Sequence, residues 1–476
     1  MRRIIALVAA ASLLAGCIDL APTYRRPAPP VPASFPTGLA YAPTADAPIV
    51  GWRAFFADPK LVTVIDAALA NNRDLRIAVA NIAIARAQYH VQRAALLPTI
   101  GANLGATFSQ TPAAVASGGA VAPGQSASPV TQSLYTANVG VSAYQLDLFG
   151  KVRNLSRAAQ DQYFASREAR DAAQITLVSE VAADYVTLGS DRALLDIARS
   201  TLASGGATVD LTQKRLNAGV ASGLDLASAQ TVVQQARFDV ARLTTQVAQD
   251  RNALELVVGA PVADDLLPAG LSGETVVLDR LPGAVRSQVL LARPDVLQAE
   301  DTLRGANANI GAARAAFFPS ISLTGSGGFA SLALGSLFTG PAAAWTFAPA
   351  ISQTLFDGGA RKGNLALAKA QRDLDVAQYE KAIQTAFRET ADALAQRGTI
   401  DEQLAAQAAL VAANRQALDL AQARYDRGAD TYLNVLIAQR SYYAAQQTLV
   451  VAKLARQVNL VNLYAALGGG LDAPAG

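Results

Sequence analysis

Two stretches of this chain repeat one another at a distance of about 209 residues, and between them they restrict the fold more than any other feature. In the stretches 215–230 and 424–440, Arg215 matches Arg424, Gly219 matches Gly428, Leu224 matches Leu433, and Ala229-Gln230 match Ala438-Gln439. Each stretch has a glycine near its middle and long Ala-rich segments of helical period on both sides. The spacing predicts a helix–turn–helix hairpin, made twice. The arm 151–216 is unbroken by proline, and at ~1.5 Å per residue it would extend roughly 100 Å. Such a helix does not fit a compact globule.

The rest of the chain repeats as well. Asp74-Leu75 matches Asp295-Val296, Arg93-Ala94-Ala95 matches Arg314-Ala315-Ala316, and Pro98 matches Pro319. Asp58 before Pro59 predicts a capped helix start, with Trp52, Phe55 and Phe56 packing on a neighbouring helix. Helical period then runs from Leu61 to Leu97, broken near Asn71-Asn72, until Pro98 stops it. Across 99–109 the apolar Ile100, Ala102, Leu104, Ala106 and Phe108 alternate with polar or small residues, which predicts a two-faced strand. Residues 110–134 read as a loop by composition. A second strand is centred on Ala137, Val139, Val141 and Ala143, and Leu148-Phe149-Gly150 closes it. Val178, Val181, Tyr185 and Leu188 form a narrow seam on the long helix that follows. Gly219 turns the chain into a helix over 224–258, which Gly259-Ala260-Pro261 ends. The second half repeats the plan. One strand begins at Ser320, another carries Trp345, Phe347 and Ile351, and helices follow over 361–427 and 432–467. The expected division is 1–16 signal peptide, 17–50 extended tether, 51–265 first repeat, 266–283 linker, 284–470 second repeat and 471–476 tail.

Composition narrows the function classes. Charged residues make up 16% of the chain, against about 25% in ordinary soluble domains. A net charge of +3 without a basic aromatic cluster gives no case for nucleic acid. One histidine and one cysteine leave too few ligands for most metal or redox sites. No phosphate-cradling loop or nucleophile–base arrangement is present, so no enzyme activity and no cofactor is expected. His90 reads as a packed or solvated helix residue. At the N-terminus a basic Met1-Arg2-Arg3 precedes an apolar run of about 12 residues, too short for a membrane span and suited to a signal peptide. Leu14-Ala15-Gly16-Cys17 resembles a bacterial lipobox, which implies cleavage before Cys17 and its lipidation. By the same resemblance, Ile18 at the next position favours sorting to the outer membrane.

Each half thus supplies two strands with one apolar and one polar face. Only helices and closed barrels satisfy the backbone in lipid, and about eight strands is the smallest practical barrel. A barrel built from this chain therefore needs several copies.

The motifs resemble those of the TolC-type outer membrane efflux proteins, in the NodT or OprM-like lipoprotein branch. The residues carrying the resemblance are Trp52, Phe55 and Asp58-Pro59; Arg293-Pro294-Asp295-Val296 with Ala315-Ala316-Phe317-Phe318-Pro319; Leu355-Phe356-Asp357-Gly358-Gly359; Arg424-Tyr425 with Gly428; and Asn462-Leu463-Tyr464 through Gly470. They cover the chain from about 51 to 470. The resemblance implies a mainly α chain with membrane β structure. Long helical hairpins would form a periplasmic α-barrel, and four strands per chain would join a trimeric 12-stranded β-barrel. It further implies a homotrimer lodged in outer membrane lipid, serving a periplasmic adaptor and an inner membrane RND transporter, as a passive duct for small molecules. A protein-secretion duct fed by an ATP-driven transporter shares this fold. A lipid-anchored scaffold without a pore is the other alternative.

By the same resemblance the hairpin tips gate the duct. The candidate tip residues are Arg215, Gly219, Asp225, Tyr425, Gly428, Asp430, Asn434, Ile437 and Arg440. Tyr425 and Arg440 match positions of gating links, and Asp225 and Asp430 are the acidic candidates. Relatives commonly carry a carboxylate where Asn434 and Ile437 stand here, so an acidic ring from that helix is not expected.

Overall fold

The computed structural model describes residues 18–41, 51–112, 129–271 and 286–470. The expected signal peptide 1–16, Cys17, residues 42–50 of the tether, residues 113–128 of the expected loop, most of the 266–283 linker and the 471–476 tail lie outside the described residues. The chain forms two compact units. One takes the described part of Met1–Arg26 with Ile84–Phe164 and Asp301–Val376; the other takes Pro27–Ala83, Ala165–Glu300 and the described part of Ala377–Gly476.

The first unit holds a four-stranded antiparallel sheet in the order β1 (Ile100–Thr111), β2 (Val130–Leu146), β3 (Ser320–Ser331) and β4 (Ala343–Ser352). The strands outrun the composition-based expectation. β1 extends to Thr111 and β2 starts at Val130, inside the stretch expected to be loop, because the ladder continues without a break to Thr111 opposite Val130. Cross-strand pairing, rather than residue type, sets the strand ends. Leu104 and Phe108 share one parity of β1, and Trp345, Phe347 and Ile351 one parity of β4; all five are exposed. β2 pairs with β3, which joins the two repeats, and a bulge between Val141 and Tyr144 bends this ladder. Ala143 sits in the bulge at φ 53, and its N–H donates to Thr324 Oγ1 at 3.2 Å. That bond offsets a left-handed conformation which alanine disfavours.

The same unit binds the start of the described chain. Ile18 N–H donates to Leu148 O at 3.1 Å. Asp19 accepts from Asn154 Nδ2 at 2.9 Å and from Arg157. Asn307 Nδ2 and Arg314 donate to the carbonyls of Pro22 and Leu20 at 2.7 and 3.1 Å. A side chain at Gly311 would run into Ala21, so glycine is what lets this strap lie flat on its helix. Burial opposes ionisation of Asp19, but the hydrogen bonds from Asn154, Ala21 N–H and Arg157 outweigh it and bring its pKa to about 2.

The second unit is helical. α1 (Trp52–Phe55) leads into α2 (Pro59–Asn71), where Asp58 caps the start by accepting from Lys60 N–H at 2.8 Å. Asn72 ends α2 and its Oδ1 accepts from Leu75 N–H at 2.8 Å, which starts α3 (Arg73–Ala94). This is the break expected at Asn71-Asn72. α4 (Lys151–Asn217) and α7 (Ala360–Asp426) are each 67 residues long. α5 (Gly223–Val258) and α8 (Tyr432–Ala466) return from them, and α6 (Pro294–Ala315) precedes β3. The core gathers Trp52, Phe55 and Leu61 with Val178, Val181, Tyr185 and Leu188. Phe55 stacks on Tyr464 at 4.4 Å. The expected seam and the expected packing of the first aromatics are both present. Arg293, of the Arg-Pro-Asp motif, is buried; it pairs with Asp295 and Glu389 and donates to Ala466 O at 2.6 Å. A cation at the last carbonyls of α8 complements the helix dipole.

Asp19 ionises more readily when docked, so its contribution to docking is complete above about pH 4 and fades as the pH falls towards 2. Asp19→Asn should remove that acid dependence. Hydrogen exchange of the amides from 18 to 24 measures it, and an unchanged acid profile in the variant would refute the clamp.

Candidate functional site

α4 and α7 end in the same turn. Gly219 has φ 75 and Gly428 has φ 70, both left-handed. At the first tip, Gly219 N–H donates to Leu216 O and Val220 N–H to Arg215 O; at the second, Gly428 N–H donates to Tyr425 O and Ala429 N–H to Arg424 O, all at 2.9 Å. This double closure satisfies carbonyls that a helix end leaves open. An added Cβ would meet open space at either glycine, so the requirement is one of backbone conformation.

The helices leaving the tips start differently. At α5, Ser222 Oγ accepts from Asp225 N–H while Asp225 accepts from Ser222 N–H at 2.9 Å, a complete capping box. At α8, the matching Thr431 makes no side-chain cap bond. Asp430 takes over. It accepts from Thr431 N–H at 2.8 Å, Asn434 Nδ2 at 2.6 Å and Arg424 Nε at 3.2 Å. These three donors, the Thr431 N–H foremost, hold its pKa below the usual carboxylate range. Asn434 is thus a donor to Asp430, and a carboxylate in its place would repel that residue.

Arg215 joins the two hairpins. Its guanidinium lies 4.9 Å from the centre of the Tyr425 ring and 3.4 Å from Asp426 Oδ1. The Tyr425 ring meets Tyr432 at 5.4 Å. Below this polar link, Ala229 and Val232 of α5 pack with Tyr432, Val435 and Leu436 of α8. The Tyr432 hydroxyl is buried without a hydrogen-bond partner among the described residues. Burial, followed by Tyr425 and Asp225, pushes its pKa up to about 12. Further along the hairpins, Tyr443 donates to the buried Asp239 at 3.0 Å. Burial and then Asp239 raise the Tyr443 pKa.

The predicted residues are therefore only partly brought together. Arg215 meets Tyr425, Asp430 meets Asn434, and Asp225 caps its own helix. Arg440 is exposed, makes no ion pair among the described residues and does not reach Tyr425; Ile437 is 54% exposed. Asp426, Tyr432, Asp239 and Tyr443 escaped the sequence reading. Tyr432, Val435 and Leu436 stand at i, i+3 and i+4, a helical stripe that could have flagged Tyr432. Nothing local to Arg215 or Asp426 marks them as partners. Among the described residues no set of side chains suits a metal ion, and no helix is long and apolar enough to cross a membrane.

The chain thus combines a sheet whose two edge strands are exposed with two 67-residue helices that end in glycine turns. The family model for outer membrane efflux proteins matches residues 64–260 and 285–469. The toluene efflux pump outer membrane protein TtgC of Pseudomonas putida is 44% identical over 474 residues, covering 98% of this chain and 96% of that protein. The antibiotic efflux pump outer membrane protein ArpC of the same species matches equally, with 44% identity over 98% of this chain and 96% of its own length. The open-state crystal structure of the MtrE outer membrane channel of Neisseria gonorrhoeae superposes with a TM-score of 0.80 at 37% identity, covering 95% of this chain and 98% of that one. The chain belongs to the outer membrane efflux protein family, with the TolC-like fold of its channels, and acts at the outer membrane as the channel component of an efflux pump.

Gly428→Ala forces a Cβ into the left-handed conformation, at a local cost of about 1–2 kcal/mol. Amide exchange across residues 424–432 should speed up accordingly, while the core around Trp52 stays protected.

Proposed function

We propose that three copies of this chain form a single passive duct, fed by a periplasmic adaptor and an inner membrane RND transporter, that exports small molecules and is gated at its hairpin tips. The observation that carries this reading is a four-stranded sheet with apolar residues on one face of both its outermost strands, β1 and β4. Four strands cannot enclose a lumen, whereas three copies supply twelve, within the range of membrane barrels. The names of the two relatives, which refer to toluene and antibiotic efflux, favour small cargo. Energy would come from the transporter, and the chain would perform no reaction. A lipid on Cys17 would add an anchor to the strap formed by the residues after it.

The gate would rest on Arg215. Its contacts with Tyr425 and Asp426 tie one hairpin to the other inside a single chain, and outward movement of either hairpin must break them. The link is partly exposed, with the Asp426 side chain 48% accessible. Exposed pairs contribute only about 0–1 kcal/mol, which suits a latch that a docking partner must open. Arg440, exposed and unpaired among the described residues, would be open to a second link from a neighbouring copy. Asn434 and Ile437 would leave the inner surface of α8 without the acidic ring.

Single-channel recording in planar bilayers tests the assignment and the gate together. The purified protein should conduct. Arg215→Ala, Tyr425→Ala and Arg440→Ala should each raise the leak of the closed channel several-fold; unchanged leak in all three would remove the latch. Ile437→Asp should shift the open channel towards cations, provided position 437 faces the lumen. Unaltered reversal potentials in a salt gradient would place it elsewhere.

A further inference from the structure

Tyr432 begins α8 and enters the contact between the two hairpins from one side only. At the repeat distance of about 209 residues its counterpart is Gly223, which begins α5 and has no side chain to offer. The Tyr432 ring is 3% exposed. It packs with Ala229 and Val232 of α5 and with Val435 and Leu436 of its own helix, as the largest buried side chain of that cluster.

Two other buried tyrosines of the same unit keep their hydroxyls bonded. Tyr185 donates to Leu266 O at 3.1 Å, and Tyr464 donates to Gly470 O at 2.8 Å. The Tyr432 hydroxyl has no partner of this kind among the described residues. The groups that act on it are engaged elsewhere. Asp225 accepts from Ser222 N–H and Ser222 Oγ, at 2.9 and 2.8 Å. Tyr425 lies under the Arg215 guanidinium.

A hydroxyl taken out of water without a protein partner loses bonds that the packed contact does not return. The ring acts the other way, because its removal from water favours association of the hairpins. One side chain therefore exerts two opposed effects. When the hairpins part, water reaches the oxygen and its penalty ends, while the ring loses its packing. The closed contact is held less tightly than the same cluster would hold it with a phenylalanine in this place.

We propose that Tyr432 is a built-in opening bias: its unpartnered hydroxyl weakens the packed contact between α5 and α8, so that the tips separate more readily than their apolar cluster alone would allow. Its part in conduction rests on the hairpin-tip gate proposed above, whereas its effect on packing stands on the buried hydroxyl itself. In sign it opposes the Arg215 link, which resists separation of the same two hairpins.

Tyr432→Phe removes one oxygen and leaves the ring. Relief of a buried unpaired donor should slow amide exchange over residues 229–236 and 436–440 by about fivefold or more. Openings of the channel in planar bilayers should become several-fold rarer. Tyr432→Ala, which removes the ring as well, should move both readouts in the opposite direction. Amides of the core around Trp52 should exchange at the wild-type rate in both variants, which shows that they fold. Exchange that is unchanged or faster in Tyr432→Phe would overturn the bias, because a bound water would then already satisfy the hydroxyl. Slower exchange with unaltered channel openings would uphold the bias in the packing and refute the tips as the gate.

Discussion

Backbone hydrogen bonding is the constraint on which the rest of this structure depends. A strand in lipid has no water to turn to, so each of its amides must find another strand. The described residues supply four strands, and the β2–β3 ladder joins the two repeats. The same chain also carries two helices of 67 residues. The long helices cannot bury an ordinary broad apolar stripe along their length. The large buried side chains are concentrated where α1, α2 and the ends of α5 and α8 meet the seam of Val178, Val181, Tyr185 and Leu188.

Duplication provides the plan, and the departures from it mark specialised positions. Both tips close with the same glycine geometry, which is backbone chemistry that a repeat preserves easily. The following helix starts are solved differently, with a Ser222–Asp225 box in one repeat and Asp430 held by Asn434 and Arg424 in the other. The neutral Asn434 therefore has a local explanation. It donates to Asp430, and a second carboxylate at that point would oppose the first. Above both, a single arginine spans the hairpins, and only the first repeat's Arg215 does so. Arg424, its counterpart, is engaged with Asp430 instead.

Much of the architecture was legible in the amino-acid order. Helix lengths, the Pro98 and Asn72 breaks, the glycine turns and the two-faced strands are all written in local period and in residues with restricted dihedrals, so reading along the chain finds them. The Asp58 cap and the aromatic packing of Trp52 and Phe55 were visible for the same reason. The full length of β2 was not, because Val130 to Leu134 follow directly on a Gly-, Ala-, Ser- and Pro-rich run and read as its end until β1 is laid beside them.

The candidate site divides along the same line. The sequence alone determined that two glycine-centred tips exist and which residues flank them. Only the tertiary structure decided that Arg215 goes to Tyr425 and Asp426, that Arg440 stays exposed, that Tyr443 reaches Asp239, and that the residues after Cys17 are clamped by Asn154 and Arg157. The physical reason is range. Periodicity and capping act over a few residues of one helix, whereas these links join segments that come near one another only when separate helices, or the N-terminal strap and a helix, pack side by side.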